Sequence, residues 1–341
     1  MISDSEASTN SRLAELQGWL GQIEALSGSD ATPASTDASF RRYFRVSSDA
    51  ESLIAMDAPP PAEDCLPFVR IAGYLEAMCL NAPRIIEADI ERGFLLLSDL
   101  GETQYLEHLR VRPDDAEQLY GDAIAALLAM QSRGAAYQSA LPPYDAELLE
   151  IELSLFHDWL CGTHLGIEFT SEEETLWHET CSLLVRNALD QPQVFVHRDY
   201  HSRNLMLTAE NNPGILDFQD AVEGPLTYDL VSLLKDCYIR WPIARVNNWA
   251  EMFYETLGED HRAQVNIEQF RRNFELMGVQ RHLKAAGIFA RLNHRDGKPG
   301  YMGDVPRTLS YIVELGPRYE ELEFLVRVIN ERCLPILESD T

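Results

Sequence analysis

The sequence predicts an α+β chain of two lobes, a small lobe built on an antiparallel sheet and a larger helical lobe. Three observations predict it. Short alternating and apolar runs broken by prolines and glycines fill the first hundred residues. Residues 103–189 instead repeat apolar side chains at helical spacing. Between that helical stretch and the next, two short apolar runs each end in an acid, "VFVHRD" and "GILDFQD".

The small lobe is assigned to residues 1–100. "SRLAELQGWLGQIEAL" carries Leu13, Leu16, Leu20, Ile23 and Leu26 on one helical face. "SGSDATPASTDAS", with small polar residues and Pro33, reads as a loop. "FRRYFRV" and "SLIAMDAPP" read as strands, residues 66–80 as a helix, and "RIIEADI" and "GFLLLSDLG" as a hairpin around "ERG". The large lobe, 101–341, holds helices such as "DAEQLYGDAIAALLAMQ" and "AELLEIELSLFHDWL". The two acid-tipped strands follow, and then "TYDLVSLLKDCYIRW" and "RYEELEFLVRVINER" return to helix.

Composition narrows the partners. The 341 residues carry a formal charge of -27, which opposes binding to nucleic acid or to anionic lipid. The six cysteines are widely spaced with no CxxC, so reduced thiols are expected rather than zinc ligands or a disulfide framework. The polar, acidic start has no secretory pattern, and no apolar run approaches the roughly 18 residues of a membrane span. A cytoplasmic monomer acting on a small molecule is the expectation.

Phosphoryl transfer from ATP needs a carboxylate facing the acceptor hydroxyl, Mg²⁺ held by hard oxygen ligands, and donors for the phosphates. "HRDYHSRN" supplies Asp199, with Asn204 five residues on, at the spacing of a catalytic loop. "ILDFQ" puts Asp217 where a metal-binding Asp belongs, with Gln219 in the place of the usual glycine. A second HRD, His294 to Asp296, follows no strand and has Tyr301 at the Asn position, so it reads as a loop.

"HRDYHSRN…ILDFQDA…GPLTYDL" resembles the aminoglycoside phosphotransferase and choline kinase-like family, a small-molecule branch of the protein-kinase-like fold. The resemblance implies ATP and Mg²⁺ as cofactors. It implies that Asp199 orients the acceptor, that His201 assists catalysis, and that Asn204 and Asp217 bind the metal. Asp229, in the Asp229–Leu230 pair, would support the catalytic loop, and Ser98 and Leu100 would border adenine at a hinge. Within the family, "DASFRRYFRV", "AMDAPP" and "GIFARLNHRDGK" are similar to the anomeric sugar kinases of cell-wall recycling. That group phosphorylates C1 of N-acetylmuramate and N-acetylglucosamine. The likeness places Ser39 in the phosphate loop and Glu150, Trp159 and Arg291 in the lobe that holds the acceptor. Trp159 could stack on a sugar or belong to the core. Arg291 could meet a lactyl carboxylate or an internal acid.

One departure stands out. A strand lysine normally holds the α- and β-phosphates, yet "IAMD" sets Asp57 there, and the only lysines are Lys235, Lys284 and Lys298 in the large lobe. Either transfer has been lost, or arginine has replaced lysine, since a guanidinium grips phosphate bidentately. Of Arg41, Arg42 and Arg45, alternation favours Arg42, on the face of Phe44 and Val46 expected to cover adenine, with Arg45 second. Asp57 would then pair with Arg70 or with a loop arginine.

Overall fold

The structure, a computed structural model, describes residues 4–26, 28–35, 41–47 and 51–339, and Ser39 lies outside them. The chain divides into two compact units, residues 1–102 with 206–220, and residues 103–205 with 221–341. The sequence placed 206–220 with the large lobe. It belongs to the smaller unit because Ile215 donates its N–H to the Asn81 carbonyl at 2.7 Å and Phe218 packs on Phe68, centroids 4.7 Å apart.

In the smaller unit α1 (Asp4–Leu20) precedes β1 (Ala31–Ser35), β2 (Arg42–Ser47) and β3 (Ser52–Asp57). Then come α2 (Leu66–Ala77), β4 (Ile85–Asp89) and β5 (Phe94–Ser98). The strands form one antiparallel sheet in the order β1-β2-β3-β5-β4. The expected hairpin is β4–β5. The stretch read as a loop contains β1, whose Pro33 is tolerated because the strand lies at the sheet edge and its pairing is irregular there.

One face of the sheet packs on α1: Phe44, Val46, Leu53, Ala55, Phe94 and Leu96 join Leu16, Trp19 and Leu20 in a single core. Side chains alternate along a strand, so Arg42 and Asp57, register partners on β2 and β3, share this α1 face. Asp57 is fully buried. Arg12 of α1 donates to one of its oxygens through Nε (3.0 Å) and Nη2 (2.7 Å), and Arg42 to the other through Nε (3.2 Å) and Nη2 (2.5 Å). Of the two partners expected for this acid, the loop arginine is found, as Arg42, joined by Arg12, and Arg70 is not among them. One expectation is corrected: the face of Phe44 and Val46 is covered by a helix. Ile54 and Met56 point to the opposite face.

The larger unit runs α3 (Tyr105–Val111), α4 (Ala116–Gly134), α5 (Ala146–Leu155), a π-helical stretch (Phe156–His164) and α6 (Ser171–Leu189). β6 (Gln193–Val196) follows; β7 (Leu205–Met206), where the chain passes into the smaller unit, pairs there with β8 (Gly214–Ile215). β9 (Val222–Pro225) pairs antiparallel with β6. Helices α7 (Tyr228–Leu234), α8 (Ile243–Thr256), α9 (Glu259–Gln264), α10 (Ile267–Asp296), α11 (Val305–Leu315), α12 (Glu323–Val328) and α13 (Leu334–Ser339) complete the unit.

The 30-residue α10 is its axis, packed against α5, the π-helical stretch, α6, α7 and α11. Gly287 lets it approach closely, because a Cβ there would collide with the Leu155 backbone. The second HRD is the last turn of α10 rather than a loop; Gly297, with φ 64°, ends the helix just beyond it. No helix among the described residues is long and apolar enough to cross a membrane.

The buried Asp57 carboxylate makes a stability prediction. Arg12→Met should cost roughly 3 kcal/mol, since it strips one side of a charge that cannot reach water. Adding Asp57→Asn should recover part of the loss, with urea denaturation midpoints as the measurement.

Candidate active site

The catalytic loop starts where β6 ends. His197 and Arg198 donate their backbone N–H groups to the two carboxylate oxygens of Asp229 on α7, at 2.7 and 3.0 Å. This is the supporting role expected of Asp229. Burial pushes the Asp229 carboxyl up to about 7, against the pull of those donors. The clamp fixes a strained turn, for Arg198 sits at φ 78°, a region costly for a residue with a Cβ. Tyr200 ties the loop to α4 through its hydroxyl (Ala123 O, 2.8 Å), and Ser202 ties it to Asp236 through N–H and Oγ (3.0 and 2.5 Å).

Arg198 reaches the buried Glu152 of α5, Nη2 to Oε1 2.5 Å, and Lys284 of α10 meets the same oxygen at 2.8 Å. Tyr144 and Gln280 donate to the other oxygen. Burial alone would raise the Glu152 pKa, but Lys284 and Arg198 outweigh it and hold the acid below its usual range.

Asp199 faces the same cations. Its side chain is 38% exposed, and Arg281 Nη2 lies 3.9 Å from Oδ1. Desolvation favours protonation, yet Lys284, Arg281, His201 and Arg198 together hold the carboxyl down at about 2. Arg281 is itself fixed by the Ser232 hydroxyl and the Tyr228 ring. Asn204 donates Nδ2 to the Asp199 carbonyl at 3.0 Å, which turns its amide oxygen, a hard ligand, away from that carbonyl. Burial lowers the His201 pKa below the ordinary imidazole value, and its Nδ1 is buried without a hydrogen-bond partner.

Asp199 and His201 line a cavity of about 100 Å³ with Tyr238, Arg281, Ala285 and Phe289. None of the three acceptor residues expected from the sequence lines it. Glu150 is exposed, Trp159 is half-buried in the π-helical stretch, and Arg291 keeps a buried Nε without a partner. Glu152, Arg281 and Lys284 were missed. The available signal was charge inside "LMGVQRHLKAAG", a segment of α10 buried on every side, where a cation must find a partner.

In the smaller unit Asp217 follows β8 with φ 61°, another strained position. Gln219 donates Nε2 to Asp217 Oδ1 (2.9 Å) and to Asp220 Oδ2 (3.3 Å), so the glycine's replacement braces the acid. Arg45 is tied to Asp99 (Nε to Oδ2, 2.7 Å), Glu102 (2.7 Å) and the Gly101 carbonyl (3.0 Å). Ser98 exchanges bonds with Arg84, its N–H donating at 2.9 Å and its Oγ accepting at 2.8 Å.

A loop that carries Asp199 and is held by the buried helix acid Asp229, with Asn204 five residues on and Asp217 just after β8, is the pattern of a phosphotransferase of the protein-kinase-like fold. Solved structures share that fold. An ADP-bound aminoglycoside phosphotransferase superposes with TM-score 0.56 at 16% identity, covering 87% of this chain and 97% of its own. A choline kinase from Streptococcus pneumoniae gives 0.58 at 11%, with the same coverage. Residues 30–266 match the phosphotransferase enzyme family, and the chain belongs to it. Its relatives include N-acetylmuramate/N-acetylglucosamine kinases. That of Pseudomonas aeruginosa is 49% identical over 90% of this chain and 88% of its own length, and that of Pseudomonas putida 46% over 94% and 96%. The Neisseria meningitidis enzyme is 40% identical over the same shares, 94% and 96%.

Asp199→Asn should lower kcat by about 10²- to 10⁴-fold with nucleotide binding retained. Asp296→Asn, at the end of α10, should leave kcat unchanged. Asp199 is held near 2 and contributes no break near neutrality, whereas Asp229, pushed up to about 7, takes up a proton as the pH falls through 7, so kcat/KM should decline below about pH 7 as the loop clamp loses its charge.

Proposed function

We propose that the chain is an ATP-dependent sugar 1-kinase that phosphorylates the anomeric hydroxyl of N-acetylmuramate and N-acetylglucosamine. It would thereby feed their recycling from the cell wall. The observation that carries this reading is the 49% identity over 90% of the chain to a kinase of that name. Asp199 orients the C1 hydroxyl and receives its proton late, as suits a loose transition state. A carboxylate held at about 2 is a weak base but a permanent anion. His201, neutral and with an unpartnered ring nitrogen, faces the transferring phosphoryl group. Leu100 rather than Ser98 offers its backbone to adenine, because the Ser98 N–H already serves Arg84.

Asn204 and Asp217 are the residues that would hold Mg²⁺. Among the described residues no cluster of three or more His, Cys, Asp or Glu could enclose a metal. That suits Mg²⁺, which takes one or two protein oxygens and fills its shell with phosphates and water. When bound, it neutralises charge developing on the phosphates.

Mass spectrometry of a sugar panel with Mg·ATP is the test. N-acetylglucosamine and N-acetylmuramate should each gain one phosphate and lose their reducing end, while methyl glycosides blocked at C1 should not react. Phosphorylation of those glycosides would place the transfer on another hydroxyl. Asp217→Ala should raise the Mg²⁺ concentration needed for turnover more than Asn204→Ala does, because it removes the charge.

A further inference from the structure

We infer that Arg203, seated against the rings of Tyr238 and Tyr301, forms a carboxylate subsite beside the cavity of Asp199. It takes the lactyl carboxylate by which N-acetylmuramate differs from N-acetylglucosamine. The inference rests on the sugar-kinase reading above and names the residue that tells its two substrates apart.

The catalytic loop fixes where this cation stands. Ser202 is tied to Asp236 through N–H and Oγ (3.0 and 2.5 Å), and Asn204 donates Nδ2 to the Asp199 carbonyl at 3.0 Å. Arg203 lies between these two anchored residues. Its Cζ stands 4.8 Å from the Tyr238 ring centroid and 5.4 Å from that of Tyr301, in the 3₁₀ turn Pro299–Asp304 after α10. Contact with π faces holds a guanidinium in place without consuming its donors, which lie at the edge of the plane. The side chains of Tyr238 and Tyr301 also accept from it and favour its charge against burial. With five N–H donors, the guanidinium has more than these two can take.

The rings that carry Arg203 are also rings of the cavity. Tyr238 and Phe289 line it together with Asp199 and His201. Tyr238 packs edge-on against His201 (centroids 5.4 Å apart) and touches Phe289 (6.1 Å), and Phe289 stacks on Tyr301 at 5.6 Å. Through this wall Arg203 is coupled to the site, and its charge helps to lower the His201 pKa. All of these residues belong to the larger unit. An aromatic wall with one charged group beside it suits a sugar ring with one acidic substituent.

The missing counter-ion marks Arg203. It is half-buried, and no acid is among the strongest influences on its charge. Among the described residues, the other half-buried arginine without a salt bridge is Arg291, which lies in the field of Arg295 and Asp296. The chain has 55 acidic residues against 28 lysines and arginines. An anionic substrate therefore meets a repulsive molecule, and a cation that no acid neutralises is where it can bind. A partly desolvated guanidinium gains most from a partner that meets its fork with two oxygens, as a carboxylate does.

Steady-state kinetics with both sugars and with the methyl ester of N-acetylmuramate, which keeps the substituent and removes its charge, test this. Arg203→Ala should lower kcat/KM for N-acetylmuramate roughly 10- to 100-fold, mainly through KM, while kcat/KM for N-acetylglucosamine and the KM for ATP stay within about twofold. Wild type should handle the ester as Arg203→Ala handles the acid. Arg203→Lys should restore part of the preference, since an ammonium keeps the charge but loses the fork. Arg203→Gln keeps a long polar side chain and should show the same selective loss should Arg203→Ala not fold. An equal loss for both sugars, a raised KM for ATP instead, or a selective loss in Arg291→Ala with none in Arg203→Ala overturns the assignment. In each of those cases wild type still phosphorylates both sugars; a wild type that phosphorylates neither overturns the functional reading, and the subsite with it.

Discussion

Arg198, Lys284 and Arg281 bring three positive charges to the wall behind Asp199, and Glu152 is the buried acid that lets two of them stay there. An ion desolvated without a partner is costly by several kcal/mol. With Glu152 in place, Arg198 and Lys284 are paired and still project field onto the neighbouring carboxylate. The Asp229 clamp belongs to the same construction, since it holds Arg198 at a backbone angle it would not choose. Loop geometry and the charge state of Asp199 thus share one set of residues.

This arrangement suits the chemistry. A general base drawing a proton early would need a pKa near the working pH. Asp199 lies far below it, which in the proposed mechanism fits it to aligning a hydroxyl whose proton departs after bond formation is under way. In that mechanism the phosphates, not the base, carry most of the electrostatic demand.

The strand ends and the loop that carry Asp199, Asn204 and Asp217 were legible because their information is local, and the roles proposed for these residues rest on their spacing along one stretch of chain. The support that Asp229 gives the loop follows from the helix that comes next. The two-lobe plan and most elements could also be read from periodicity. What could not be read depended on which face a strand turns to its neighbours. Alternation put Arg42 with Phe44 and Val46 correctly, but only the packing of α1 reveals that this face is closed. Pro33 looked like a breaker because edge position is a property of the sheet. His294 to Asp296 looked like a loop because the glycine that ends α10 comes only after them. Arg281 and Lys284 were hidden because their partners lie far away in sequence, at Asp199 and Glu152.

The contact of Gly287 with the Leu155 backbone limits how this enzyme could be altered. With no side chain between them, α10 and the end of α5 meet backbone to backbone, and any larger residue would lever α10 outward. Arg281 and Lys284 ride on that helix, so the displacement would separate them from Asp199 and Glu152. Ala285 and Ile288 line the cavity beside Asp199 from the same helix, so exchanging them would reshape that cavity without moving the helix. The cavity wall and the cations can thus be varied separately on one helix only as long as position 287 remains glycine.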